Sequence, residues 1–212
     1  IFMLVCDYIV ESIDGDYAHL RRTDLPEEEL KLVARALLPF EITEGCRLHY
    51  EMIRLYSGDP KRIQHFCKVH SYAKLIAEME HVDADTLFIL EAAALTHDIG
   101  IHLCEEKYGS SNGKLQEKEG PAIAEKLLKE LQFEENVIER VKYLIAHHHT
   151  YDAIDGIDYQ IMIEADYLVN ADESNFSGNN VRNMLEKVFK TETGKFLLKS
   201  MYQKRLDSAE EK

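Results

Sequence analysis

The four cysteines, Cys6, Cys46, Cys67 and Cys104, form no CxxC pair, and their wide spacing argues against both a zinc knuckle and a disulfide scaffold. Basic residues are scarce. Twenty-five Lys and Arg stand against 39 Asp and Glu, a formal charge of -14, which repels phosphate backbones and anionic membranes and excludes a nucleic-acid-coating role. Long apolar runs are missing too: the best, 87–90 and 92–95 on either side of Glu91, fall short of the roughly 20 residues a membrane-spanning helix needs. The opening IFMLV is cut by Asp7 and has neither a basic n-region nor a small-residue cleavage site, so no signal peptide is expected and a cytoplasmic location is. Internal repeats and low-complexity tracts are absent. What is there, 212 residues at 45% hydrophobic and 30% charged, is ordinary globular chain, enough for one domain of about 150 residues and a smaller part.

Val, Ile and Tyr are frequent over 2–22, and Asp14-Gly15-Asp16 interrupts them, which predicts a hairpin. After an acidic, proline-containing segment the run 32–38 stops at Pro39, Glu44-Gly45 offers a turn, and Leu48, Tyr50 and Met52 alternate. Together these predict a small four-stranded sheet or barrel. Leu48, Met52, Ile53 and Tyr56 also stand at helical spacing, so 46–56 reads either as strand or as the first helix of the next domain. Residues 1–56 are accordingly expected to form a small β-rich N-terminal domain, too thin in core to stand without docking on the rest. Residues 57–212 are expected to be all-α.

Asp59-Pro60 supplies an N-cap and a first-turn proline for a helix running to about residue 80. His65, Val69, Tyr72, Ala73 and Ile76 share one of its faces. Asp83 or Asp85 caps a second helix with the stripe Leu87, Leu90, Ala94 and His97, followed by Asp98 and closed by Gly100. Gly120-Pro121 reads as the start of a helix carrying Ile123, Leu127, Leu128 and Leu131. In the next helix Val137, Val141, Leu144 and Ile145 form a stripe whose continuation by one turn lands on His148. Beyond an acidic loop with Asp152, Asp155 and Asp158, read as solvated, the segment 161–169 is apolar nearly all round and predicts a buried helix bearing Glu164 and Asp166. Two amphipathic helices broken near Thr193-Gly194 finish the chain over 180–206.

Four helices thus bring His65, His97 with Asp98, His148, and Asp166 onto or beside core-facing stripes. Burying such groups unpaired costs several kcal/mol each, so they need a shared partner. A divalent cation meets that need, since imidazole nitrogen and carboxylate oxygen together suit Zn, Mn, Fe, Co or Ni, with Mg a further candidate. A lone histidine on an apolar face is most often a satisfied core residue. The set as a whole, with a His-Asp pair ending the small-residue stretch Ala92-Ala93-Ala94, is poorly explained that way. His19, His49, His70, His81, His102 and His149 have no place in it and read as surface or packing residues, and Tyr72 and Tyr167 read as core.

The ordered set His65-Phe66-Cys67-Lys68-Val69, Ala92-Ala93-Ala94-Leu95-Thr96-His97-Asp98-Ile99-Gly100, Gly120-Pro121-Ala122-Ile123-Ala124, Leu144-Ile145-Ala146-His147-His148 and Glu164-Ala165-Asp166 resembles the HD-domain superfamily of metal-dependent phosphohydrolases. The resemblance covers about 57–172, and residues 1–56 look only faintly like a small bacterial β-domain of unknown function. It implies a mainly α HD-domain helical bundle behind the β-rich segment, with His65, His97, Asp98 and Asp166 as ligands of a first metal. Members with a second metal usually add a histidine where this chain has Gln116, a poor ligand, which leaves one ion expected and a second open. His147 and His148, with Gln116, are then candidates for a second metal or for substrate contacts, and His148 is favoured by helical phase. Lys68, one turn from His65, is where the family tends to place a basic residue that reaches a phosphate oxygen. Ile101 and the absence of a Gly-Tyr-Pro triplet depart from the cyclic-di-nucleotide branch.

The implied activity is hydrolysis of a phosphomonoester, phosphodiester or phosphoanhydride bond in a nucleotide or small phosphorylated metabolite. A divalent cation lowers the pKa of its bound water from about 15.7 toward 7, so that hydroxide can attack phosphorus, with Asp98 orienting it. The rival of another class is a non-catalytic nucleotide-binding regulatory module that retains the HD metal site. Oxidation at a di-iron centre, known for some members of the fold, is disfavoured by Gln116.

Overall fold

The computed structural model describes residues 9–14, 17–21 and 43–208, and the chain divides into two units, Ile1–Thr43 and Glu44–Lys212. In the first, β1 (Ile9–Asp14) pairs antiparallel with β2 (Tyr17–Arg21), with Asp14 opposite Tyr17 and a register irregularity between Val10 and Ser12. This is the hairpin that Asp14-Gly15-Asp16 predicts. The run 32–38 lies outside the described residues.

Residues 46–55 are helical and Tyr56 lies in the turn that follows, so of the two readings of 46–56 the structure takes the helix and not the fourth strand. Helix α1 (Glu44–Leu55) belongs to the second unit, so the division falls between 43 and 44. Burial explains the choice between two patterns that the sequence satisfies equally. Leu48, Met52 and Tyr56, at i, i+4 and i+8, are buried, whereas Tyr50, which alternation would place beside Leu48 and Met52, is 67% exposed.

Helix α2 (Pro60–Met79) starts where Asp59 accepts a hydrogen bond from the Arg62 amide at 3.2 Å, with Pro60 in the first turn. Helix α3 (Ala84–Thr96) is capped in the same way by Asp83, on the Thr86 amide at 3.0 Å. A short turn over 97–100 leads to α4 (Ile101–Tyr108), which ends on Gly109 in the left-handed conformation at φ 64°. Helix α5 (Gly113–Glu130) begins earlier than Gly120-Pro121 suggests, because Asn112 caps it, and Pro121 lies inside it. Proline removes only one ladder hydrogen bond there, and the helix continues. Helix α6 (Glu135–His147) buries Val137, Val141, Leu144 and Ile145. Helix α7 (Ile157–Glu173) is buried on every side over 158–169 and packs on both α2 and α3. Helices α8 (Gly178–Lys187) and α9 (Glu192–Ser208) pack on each other, and α9 also packs on α7, with a kink at Tyr202.

The stretch Ala84–Tyr108 is 25 residues long and holds an 18-residue window of mean hydropathy 1.4, longer than the apolar runs alone suggest, but 61% of that window is buried in the bundle. It is α3 and α4, broken by the turn that bears His97 and Asp98.

Glu164 on α7 is fully buried and locks the C-terminal helices in place. It accepts hydrogen bonds from Gln160 Nε2 at 2.7 Å, from the Lys190 and Thr191 amides at 2.6 and 3.1 Å, and from the Thr191 hydroxyl. A Cβ at Gly194 would overlap this carboxylate. Glu164→Ala strands buried donors and is expected to lower stability by about 3 kcal/mol, while Gly194→Ala overpacks the site at a cost of about 2 kcal/mol. Urea melts with an unchanged slope would check both.

Candidate metal centre

Each site residue is set by the local structure around it. His65 lies in the second turn of α2, 7% exposed, and Asp166 lies on α7, also 7% exposed. The His97-Asp98 pair caps α3, where Thr96 Oγ1 donates to the Ala92 carbonyl at 2.8 Å, and Tyr56 donates to the Asp98 carbonyl at 2.8 Å, so the end of α1 holds the turn. Gly100 lets this turn meet α5. A Cβ there would stand 3.0 Å from the Gly120 nitrogen, and one at Gly120 would stand 2.8 Å from Ile145 Cγ2.

Three segments converge on one point. His65 Nε2 lies 3.3 Å from His97 Nε2, 3.5 Å from Asp98 Oδ2 and 3.2 Å from Asp166 Oδ1. His97 Nε2 lies 3.5 Å from each of the same two carboxylate oxygens. Ligands about 2.1 Å from a single ion in a tetrahedral set stand about 3.4 Å apart, so the spacing fits a transition metal. His65, His97 and Asp98 also form a group able to hold an ion by the mutual distances of their donor atoms.

The hydrogen bonds behind the rings fix what they present. His97 Nδ1–H donates to the Ala94 carbonyl at 2.9 Å and His65 Nδ1–H to Glu173 Oε2 at 3.0 Å. Both neutral rings therefore turn Nε2 lone pairs toward each other, an arrangement that only a proton or a cation between them relieves. Protons serve when no metal is bound. Burial alone would depress His97, but the Asp98 and Asp166 charges raise it to about 9. His65 is raised as well, its burial outweighed by Asp166. Burial would lift the Asp98 carboxyl, yet His97 and His148 hold it down at about 2, and His65 and His97 hold Asp166 well below the ordinary carboxylate range.

Asp98 has a second role. Its Oδ2 faces His65 and His97, whereas Oδ1 faces His148 Nε2 at 3.7 Å. His148 Nδ1–H donates to the Ile145 carbonyl at 2.7 Å, which leaves Nε2 buried without a partner among the described residues. The donor atoms of Asp98, His148 and His149 form a second group within mutual reach. His149, which the sequence reads as surface or packing, belongs here because α6 ends at His147 and the following turn swings its ring inward. Its Nε2 is also buried without a partner among the described residues, and burial with the neighbouring His148 pushes its pKa down to about 4.

The other expected residues make contacts of their own. His147 Nδ1–H donates to the Tyr143 carbonyl at 2.7 Å and its ring packs on Tyr143. Gln116 is buried, its Nε2 donating to the Ser111 carbonyl at 2.6 Å while Oε1 has no partner among the described residues. Lys68 stands one step back, its ammonium 2.9 Å from Glu173 Oε1, so it reaches the centre through Glu173 and His65. Glu173 and Asn170, whose Nδ2 donates to Asp166 Oδ1 at 2.8 Å, complete the support. Asn170 and Glu173 sit at helical spacing from Asp166, at i+4 and i+7, and that spacing could have found them.

A helical bundle with a His, His-Asp, Asp set converging in its interior defines a metal-centre class. The HD-domain family model matches residues 62–171, about half the chain, and the chain belongs to that family of metal-dependent hydrolases. The chain is also similar to a solved structure described as a predicted HD superfamily hydrolase from an uncultured Thermotogales bacterium, at 23% identity. The alignment covers 79% of this chain and 88% of that one with a TM-score of 0.54, which supports the fold. No curated protein matches the chain.

Because His97 keeps its proton up to about pH 9 without metal and cannot ligate while protonated, metal uptake must release it. Calorimetry with manganese at about pH 7.5, in buffers of different ionisation enthalpy, is expected to show release of at least about one proton per ion, with affinity rising as pH climbs toward 9. His97→Ala should abolish that uptake.

Proposed function

We propose that this protein is a phosphohydrolase that cleaves a phosphomonoester, phosphodiester or phosphoanhydride bond of a nucleotide or small phosphorylated metabolite. The observation that carries the reading is the division of labour within Asp98: Oδ2 joins the four-ligand cluster while Oδ1 faces His148 Nε2 at 3.7 Å. A divalent ion, when bound, acidifies water and neutralises charge on phosphoryl oxygens.

The chain's own groups do the rest. His65, His97, Asp98 and Asp166 hold the ion. Asp98 Oδ1 accepts a hydrogen bond from a water seated between it and His148 Nε2, 3.7 Å away, and so orients that water. His149, neutral at physiological pH, offers a further lone pair beside them. At 23% side-chain exposure Asp98 is the most open of the four ligands, so substrate enters past it. Glu173 fixes the His65 tautomer, and Lys68 is a positioning residue that steadies Glu173.

Phosphate release from a panel of nucleotides and generic phosphodiesters, with Mn, Co, Ni, Mg and Zn added in turn, tests the reading. Turnover is expected to require metal and to fall by about 10²–10⁴-fold in Asp98→Ala. Activity that survives chelation or this substitution would contradict it. Tight nucleotide binding without turnover would instead support a regulatory module.

A further inference from the structure

A cavity of about 430 Å³ opens beside the metal centre, with Asp166 and His149 in its wall. The rest of the wall comes from Tyr167 and Asn170 on α7, Tyr151 in the loop before it, Phe176 after it, and Asn180 and Asn183 on α8. Phe176, Asn180 and Asn183 lie beyond residue 171, where the family match ends.

Its chemistry is selective. Among the described residues no Lys or Arg lines the cavity, and Asp166 at the metal end is its one carboxylate, so nothing there balances a second phosphate or a carboxylate on the ligand. Met184 is the one aliphatic side chain, which disfavours an acyl chain. Three aromatic rings and three side-chain amides suit a flat, uncharged group with donors and acceptors along its edge. Tyr167 provides an independent sign: it is 7% exposed, and its hydroxyl is buried with no hydrogen-bond partner among the described residues. A buried hydroxyl left unpaired on a cavity-lining side chain is costly. The Tyr151 wall is held from behind, because Arg140 grips both Asp155 at 2.9 Å and Asp158 at 2.8 Å and so fixes the loop.

We propose that this cavity is a specificity pocket that seats the base of a nucleoside phosphate, stacked on Tyr151 and Phe176 and read at its edge by Asn180 and Asn183. The inference rests on the phosphohydrolase reading for the phosphate end alone, since the residues that seat and read the base, Tyr151, Phe176, Asn180 and Asn183, are not among the four ligands.

Two measurements on the full chain keep the two claims apart. The first is equilibrium dialysis of adenosine, guanosine, cytidine and uridine with metal-free protein, wild type against Tyr151→Ala and Asn183→Ala. The second compares kcat and KM, with manganese, for nucleoside monophosphates and for glycerol phosphate. Saturable binding of at least one nucleoside is expected, weakened roughly tenfold in Tyr151→Ala, the loss of one stacking partner. The kcat/KM ratio of nucleotide to glycerol phosphate should fall by a similar factor, through KM. The pocket is overturned if no nucleoside binds while glycerol phosphate is hydrolysed, or if the variants depress both esters equally. If no ester is hydrolysed with any metal, the phosphohydrolase reading fails by itself, and the dialysis decides the pocket: binding weakened by Tyr151→Ala sustains it and no binding overturns it.

Discussion

Two imidazole nitrogens facing each other at 3.3 Å, each with its lone pair turned inward, are the constraint around which this domain is arranged. Left alone they repel, and two carboxylate oxygens brought within 3.5 Å of both make the point attractive only to a positive charge. The surrounding structure serves to keep them there. The Ala94 carbonyl and Glu173 hold the backs of the rings, Asn170 steadies Asp166, and Tyr56 reaches from the end of α1 to fix the turn that bears Asp98. Small residues do comparable work, since Gly100 and Gly120 let that turn rest on α5 at a distance no side chain permits.

Helix α7 shows how one buried segment can carry two polar groups without conflict. Glu164 and Asp166 are two residues apart, about 200° around the helix, so they face different neighbours. Glu164 is satisfied by backbone amides and by Gln160 and Thr191 at the start of α9, a purely internal network. Among the described residues Asp166 has one conventional donor, Asn170, and otherwise meets the two histidines. The first arrangement fastens the C-terminal helices, and the second keeps acceptor capacity for a ligand.

Most of the centre is legible in the sequence because helical phase is regular: His65, His97 and His148 each extend an apolar stripe, and their burial follows from it. Phase fails where helices stop. His149 escapes it because α6 ends at His147 and the turn beyond obeys no periodicity, and His147 passes as a site residue although its ring lies against Tyr143. Lys68 stands on α2 as expected, but a carboxylate seven residues beyond Asp166 takes up its charge, a pairing that needs tertiary contact to see. The start of the helical unit is ambiguous for a different reason. Leu48, Tyr50 and Met52 alternate while Leu48, Met52 and Tyr56 repeat every four, and packing against the bundle, which no single sequence displays, chooses the second.

The central claim is that His65, His97, Asp98 and Asp166 hold one ion. The most direct measurement is anomalous diffraction from crystals grown with manganese, collected above and below the metal edge. The account predicts a peak enclosed by the two Nε2 atoms, Asp98 Oδ2 and Asp166 Oδ1, about 2.1 Å from each. A map without a peak there, with metal present in the crystal, would contradict it.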